Sequence, residues 1–278
     1  DSFPTVHRNL GIAYYNKRQD YSKAEIEYKK AYSLDTKDAR VFYELDQLYK
    51  RTNKDHQFRL KLMEKNVDVL YERDDFYIEY VQVLNNLGEY KKALNLLLNR
   101  KFHVWEGGEG QVVEQYTFAL KQLAIIKFKD ELYDEAIELL EKAKVYPINL
   151  GEGKLMNAQE NDINYLIGLC YESLGNPVSK SYYSKASIGT SVPAAAMFYN
   201  DAKPDSIFYQ ALAWRKLGNE KEFYKRINDL YDYGEINIDV EQEIDYFAIS
   251  LPSFLIFEED LQHRNYVHCK YLMTLGLI

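Results

Sequence analysis

Small and large apolar residues recur along the chain at helical spacing and at a fixed longer period. Steps of three and four residues place such positions on one face of a helix. The first unit carries Leu10-Gly11, Tyr14, Ala24, Tyr28 and Ala31. The pattern returns about every 34 residues, which is the length of a helix-turn-helix repeat. It predicts an all-α chain, a right-handed superhelical solenoid of antiparallel helix pairs, in which small residues mark the points where two helices touch.

Roughly six units fit the pattern and cover most of the chain. The signal is strong at the first unit and at the third to fifth units. A large apolar residue followed by glycine recurs at Leu10-Gly11, Leu87-Gly88, Ile167-Gly168, Leu174-Gly175 and Leu217-Gly218. The second unit is degenerate, because Asp46 and Lys65 stand where small residues are expected. We predict a solenoid of about six pairs over residues 1–235. Residues 236–278 are predicted to be divergent helices that continue it.

These motifs resemble the tetratricopeptide repeat (TPR) family. There a small residue in the first helix and an alanine in the second allow close packing, and a glycine sits in the turn between them. The resemblance implies that the first helix of each pair lines a concave groove. In this register the groove residues are Tyr15, Tyr43, Ile78, Phe128, Tyr165 and Phe208. The positions that bind acidic peptide tails in some family members hold Arg8, Ile12, Glu44, Asp75 and Glu79, which argues against that ligand.

The charge, hydropathy and cysteine content of the chain narrow the possible classes of function further. The net charge of -8 argues against a nucleic-acid surface, which needs clustered Lys and Arg. No apolar run reaches the ~18 residues of a membrane helix. The two cysteines, Cys170 and Cys269, lie in helical apolar patterns and are interpreted as buried thiols. They favour a reducing compartment, so we predict a cytoplasmic protein.

Nothing in the sequence points to catalysis. The five histidines are scattered, and His263 and His268 do not share a helix face that would suit a metal. Paired carboxylates such as Glu258-Glu259 are best read as solvated faces in so acidic a chain. We therefore predict no enzyme activity for this segment, no cofactor and no metal.

Two glycine-rich insertions interrupt the period, at residues 101–110 and 146–154, and both contain Gly-Glu-Gly. Each follows the second helix of one unit, so we expect them at one edge of the solenoid and close together. Glycine lets the backbone approach a ligand, and an aromatic face with carboxylates suits a polyol. The predicted ligand-binding residues are His103, Trp105, Glu106, Glu109, Asn149, Glu152 and Lys154.

Two other interpretations of these loops stand beside that one. They are long connections in which Trp105 and Phe102 fasten the edge to the core. Alternatively their carboxylates and carbonyls bind calcium, although the spacing does not match the known calcium loop.

The insertions extend the resemblance. KFHVWEGGEG, NLGEGK and the last 30 or so residues are similar to the C-terminal TPR region of large bacterial proteins. Those proteins carry an uncharacterised N-terminal domain that resembles carbohydrate-active β-sandwich modules. The resemblance covers roughly residues 75–278. It implies a sugar-related parent protein and assigns no reaction to this segment.

The C-terminal region carries two further expectations. Leu272, Leu275 and Gly276 repeat the register of a first helix, so we expect an incomplete last unit. Its stripe of Val267, Tyr271 and Leu275 should be partly uncovered or packed on a neighbouring molecule. The segment from Ile236 to Phe257 is densely apolar and is broken at Pro252. It is either an interrupted helix pair or a surface that packs on a missing domain or a second copy of the chain.

The function predicted from these observations is a scaffold that binds a protein or peptide, or the N-terminal domain of its own chain. The alternative is a helper domain that completes a carbohydrate-binding or glycoside-processing site through the two loops.

Overall fold

The computed structural model describes residues 2–103, 105, 107–196, 201, 203–243 and 256–278. All regular structure in these residues is helical, which confirms the predicted all-α class. The α-helices are α1 Pro4–Arg18, α2 Tyr21–Leu34, α3 Ala39–Arg51, α4 His56–Lys65, α5 Val67–Leu70, α6 Asp74–Asn86, α7 Tyr90–Leu98, α8 Gln111–Lys129, α9 Tyr133–Ala143, α10 Asn161–Ser173, α11 Ser179–Ala186, α12 Pro204–Lys216, α13 Glu220–Asn237 and α14 Leu261–Gly276. A single 3₁₀ turn, Ile148–Leu150, precedes α10.

The most extensive contacts join helices that are adjacent in sequence, as a solenoid requires: α1 with α2, α10 with α11, α12 with α13 and α13 with α14. The pairs are antiparallel: Tyr15 near the end of α1 meets Tyr21 at the start of α2, while Gly11 further back faces Tyr28. The chain divides into two compact units. Unit 1 is Asp1–Gln115 with Ser253–Glu259, and unit 2 is Tyr116–Pro252 with Asp260–Ile278. The sense of the superhelical twist and the domain boundary at residue 235 stay predictions.

Close helix contacts occur where the sequence predicts them. A Cβ atom on Gly11 would lie 2.4 Å from the ring of Tyr28, and one on Gly168 would lie 2.5 Å from the ring of Tyr183. In both pairs an aromatic ring of the second helix occupies the space that a first-helix side chain would need. Ala211 is fully buried against Phe223 in the corresponding position of α12. The predicted contact residues are therefore confirmed.

The turns inside the helix pairs share one backbone conformation. The second residue after the first helix is left-handed at Gly88, Gly175 and Gly218, with φ between 67° and 82°. Without a Cβ atom glycine adopts this region at little cost, which explains the Leu-Gly motif. The equivalent positions of three other pairs hold Gln19, Asn53 and Glu131, also with positive φ.

Short acidic and amide side chains cap the starts of five helices. Asp20, Asp38 and Asp55 accept hydrogen bonds from main-chain N–H groups in the first turns of α2, α3 and α4. Asn219 and Asp260 do the same for α13 and α14. These caps satisfy N–H groups that have no partner within the helix.

The degenerate second unit has a different core from the one predicted. Asp46 is buried, and both of its carboxylate oxygens accept hydrogen bonds from Arg59, at 2.8 and 2.7 Å. The guanidinium also reaches Glu79 on α6 at 3.2 Å. Burial raises the pKa of Asp46. Lys65 is exposed at the end of α4 and replaces no packed small residue, so the prediction for Lys65 is wrong.

The C-terminal predictions are met only in part. Val267 and Tyr271 on α14 are exposed, by 52% and 46%, as expected. Leu275 is buried against Ile207 and Leu230, so its predicted exposure is wrong. The tight approach at Gly234 and Gly276 brings α13 and α14 together and covers Leu275.

Both Cys170 and Cys269 are buried free thiols, and burial raises the pKa of Cys170 to about 11.

Residues 244–255 lie outside the described residues, and so do the apolar positions predicted there, including Pro252. Phe257 is described, and neither predicted interpretation holds for it. It is not helical, and it packs on α1 and α2 of its own chain.

Candidate interaction sites

The predicted groove residues of unit 2 belong to a row of aromatic rings on successive first helices. Tyr165 of α10 lies 5.5 Å, centroid to centroid, from Tyr209 of α12, and Tyr209 lies 6.0 Å from Phe208. The pKa of Tyr209 is raised to about 12. Burial is the largest cause, and nearby acidic groups and the Tyr271 phenol on α14 add to it. We call Tyr165, Phe208, Tyr209 and Tyr271 the aromatic row. The first three are half-buried, and Tyr271 is exposed.

The repeat register predicts only Tyr165 and Phe208 of this row, because it selects one groove position on each first helix. Tyr209 follows Phe208 directly, and Tyr271 belongs to the stripe predicted at the C-terminal end. Phe128, the other predicted groove residue of unit 2, is half-buried and lies edge-on to Tyr133 at 5.3 Å.

The groove residues predicted in unit 1 are engaged in packing. Ile78 is only 3% exposed, so the prediction that it lines an open groove is wrong. Tyr43 is half-buried between the ring of Phe76, at 5.7 Å, and the guanidinium of Arg73, at 5.6 Å. Tyr15 lies between the rings of Tyr21 and Phe257.

A buried carboxylate connects the first two pairs of unit 1. Glu44 is fully buried and accepts hydrogen bonds from Arg8 at 2.6 Å to each oxygen, from Arg40 at 2.9 Å and from the Tyr28 hydroxyl at 2.9 Å. The hydrogen bonds to Glu44 raise the pKa of Arg8. Arg8 and Glu44, which stand at positions of the peptide-tail clamp, are thus paired with each other between repeats. This pairing is consistent with the argument against an acidic-tail ligand.

The first glycine-rich loop begins with a firm attachment to α6. The Asp74 carboxylate accepts hydrogen bonds from Arg100 at 2.7 Å and from the His103 main-chain N–H at 2.9 Å. Burial by itself raises the pKa of Asp74, but these hydrogen bonds outweigh it and hold the pKa below its usual range. Phe102 is buried edge-on to Tyr77, as the interpretation of the loop as a fastened connection expects.

Beyond this attachment the loop offers an aromatic face. The half-buried Trp105 ring rests on Gly108, where a Cβ atom would come within 2.0 Å of the indole. His103, which precedes Trp105 in the loop, and Glu109, which follows it, are both exposed. Glu106 lies outside the described residues.

The second loop is organised mainly by its own unit. Lys154 donates to the Lys144 carbonyl at 3.0 Å and forms an ion pair with Glu160. Leu150 is buried, and Gly151 adopts a left-handed φ of 82°. Asn149 is half-buried and Glu152 is partly exposed. The two loops fall in different compact units, and their predicted proximity stays a prediction.

Among the residues that the structure describes, no group of three or more His, Cys, Asp or Glu side chains is placed to hold a metal ion. Within the same residues no helix is both long enough and apolar enough to cross a membrane.

No family model matches the sequence. Solved structures with a similar arrangement include PilF of Pseudomonas aeruginosa, with a TM-score of 0.45 and 13% identity, covering 83% of this chain and 91% of that one. PilW, described as a type IV pilus biogenesis factor, has a TM-score of 0.44 and 12% identity over 82% and 92% of the two chains. YrrB, described as a TPR protein with an unusual peptide-binding site, has a TM-score of 0.36 and 13% identity over 74% and 91%. The fold assignment rests on the helix pairing described above.

Proposed function

We propose that this chain is a protein-interaction scaffold that binds a protein or peptide partner, or another domain of its own polypeptide. The observation that carries the proposal is the aromatic row. Rings on α10 and α12 contact one another through Tyr165, Tyr209 and Phe208. The exposed Tyr271 on α14 lies close enough to act electrostatically on the Tyr209 hydroxyl. Tyrosine and phenylalanine supply large contact area at low conformational cost, which is why they are common where proteins bind one another.

The charges around the row define the kind of partner. Asp162 and Asp205 act on the Tyr209 phenol, while Lys121 is held by an ion pair to Asp162 at 2.5 Å. Acidic groups beside half-buried tyrosines favour a partner with apolar and basic side chains. The buried free thiols support a reducing compartment such as the cytoplasm.

Photo-crosslinking in cells tests this function. A benzophenone side chain introduced in place of Tyr209 should form an adduct with a specific protein. The same group in place of Tyr224, a 56% exposed tyrosine on α13, is the matched control and should form none. Equal labelling at both positions, or no adduct at either, would contradict the assignment.

A second candidate function is carbohydrate binding, and the geometry of Trp105 is what favours it. A ring held in place by its contact with Gly108 is preorganised for stacking on an apolar sugar face, with His103 and Glu109 in the same loop. In the full-length protein Trp105→Ala should weaken binding of an oligosaccharide by about 1–3 kcal/mol, the range known for stacking on bases. Titration calorimetry with an oligosaccharide panel measures this. Trp105→Phe is the control that keeps an aromatic face, and a change in thermal stability alone would assign the loop a structural role.

A further inference from the structure

The chain holds one of its own non-helical segments on the first helix pair. Asn16, near the C-terminal end of α1, donates from its amide nitrogen to the Ile256 carbonyl at 2.9 Å. Its amide oxygen accepts from the Glu258 main-chain N–H at 3.0 Å. One side chain thus satisfies the backbone on both sides of Phe257. These bonds involve only main-chain atoms of the segment and place no demand on its sequence.

The residue between the two hydrogen bonds is a buried anchor. Phe257 is 1% exposed, and its ring lies 4.6 Å from the Tyr15 centroid and 5.6 Å from the Tyr28 centroid. Phe257 belongs to one hydrophobic cluster with buried residues of α2 and α3: Ala24, Tyr28, Leu45, Leu48 and Tyr49. An aromatic residue in a desolvated aromatic pocket is the usual source of affinity in peptide recognition.

The following residue adds charge complementarity at the rim. Lys17 contacts the Glu258 carboxylate at 2.8 Å, and both side chains are mostly exposed, by 74% and 60%. An exposed pair of this kind contributes little affinity, and it favours an acidic residue directly after the anchor.

The segment is arranged like a bound peptide. Residues 256–259 are not helical and precede the Asp260 cap of α14, so releasing them breaks no helix. The pocket walls belong to α1, α2 and α3, whose packing is fixed separately by the Gly11–Tyr28 approach and by Glu44.

We propose that the pocket between α1, α2 and α3 recognises a non-helical peptide in which an aromatic residue is followed by an acidic one. The chain's own Ile256–Glu258 is the resident occupant, which a partner's segment displaces. The inference rests on the proposed scaffold function and uses a different surface from the aromatic row. A failure here would therefore leave the crosslinking result at Tyr209 untouched.

Fluorescence anisotropy with a labelled peptide of residues 253–260 tests the site in the 278-residue chain. The Phe257→Ala variant should bind the peptide at least about 10-fold more tightly than the unmodified chain, because its tethered competitor is weakened. Adding Asn16→Ala to that variant should abolish the gain. Adding Lys17→Ala should weaken binding by only about 2- to 5-fold, as expected for an exposed ion pair. A peptide in which alanine replaces the anchor is the ligand control.

Three results would overturn the proposal. The first is no peptide binding to Phe257→Ala while its circular dichroism remains that of the unmodified chain. The second is measured on the unmodified chain, so it applies even if that variant unfolds. There the Glu258 amide hydrogen should exchange faster than the Tyr28 and Ala31 amides of α2. Equal exchange rates would mean that the segment is part of the permanent core. The third is a concentration-dependent dimer that Asn16→Ala abolishes, since the occupant would then come from a second copy.

Discussion

At the scale of single residues, glycine positions control how closely two helices approach. A Cβ on Gly168 would meet the Tyr183 ring at 2.5 Å, whereas a Cβ on Gly153 would meet nothing within 4 Å. Gly168→Ala should therefore lower the free energy of unfolding by about 1–3 kcal/mol through overpacking. Gly153→Ala, the matched control, should change it by less than about 0.5 kcal/mol. Urea denaturation measures both, and equal effects would contradict the proposed contact.

A second residue-scale effect comes from backbone conformation alone. Glu131 occupies the turn position where three other pairs have glycine, with a φ of 61°. A left-handed conformation costs a residue with a Cβ about 1–2 kcal/mol. Glu131→Gly should raise the free energy of unfolding, by up to about 1 kcal/mol once the entropy of glycine in the unfolded chain is counted. Gly175→Ala is the reverse test, because a Cβ there meets no atom within 4 Å and any loss must come from φ. A Glu131→Gly variant less stable than the parent would refute this account.

At the scale of elements, the second helix pair depends on charge where the others depend on small residues. Arg59→Met would leave Asp46 without its partner in a site where both side chains are 2% exposed. Removing one member of a buried pair costs about 3–5 kcal/mol, so thermal and urea stability should fall sharply. Lys127→Met, which breaks the more exposed pair with Glu135, should cost at most about 1 kcal/mol. If the double variant Asp46→Leu/Arg59→Met were as unstable as Arg59→Met alone, the loss would not come from the unpaired carboxylate.

The attachment of the first loop predicts a pH dependence. The pKa of Asp74 lies below its usual value of 3.8. The stabilisation is therefore present above pH 3.8 and is lost as the pH falls through the lowered pKa. In a Trp214→Phe background, Trp105 fluorescence should stay constant down to about pH 4 and change below it. The Asp74→Asn variant should show, already at neutral pH, the Trp105 fluorescence that the unmodified loop shows only in acid. A transition centred well above pH 4 would point to a different group.

The elements that could be read from the sequence are those set by local periodicity. Gly11, Gly168 and the Leu-Gly turns follow from size and backbone preference, which repeat with the unit. The Asp46–Arg59 pair could not be found this way, because a polar residue inside an apolar pattern counts as a mismatch until its partner is known. The docked Phe257 lies 241 positions from Asn16 and carries no periodic signal. The two loops share a motif, but no local rule fixes the distance between separate units.

At the scale of the whole molecule, local packing means that damage should stay local. Each unit has its own core, in which helices contact chiefly their neighbours in sequence. In such a chain stability is close to a sum of unit and interface contributions, and regions open separately. Gly168→Ala should thus accelerate amide exchange in α10, α11 and α12 and leave α2 and α3 unchanged. Arg59→Met should do the opposite, speeding exchange in α3, α4 and α6 while α12 and α13 keep their protection. Exchange by mass spectrometry on both variants measures this, and uniform acceleration in either one would mean that the chain unfolds as a single cooperative body.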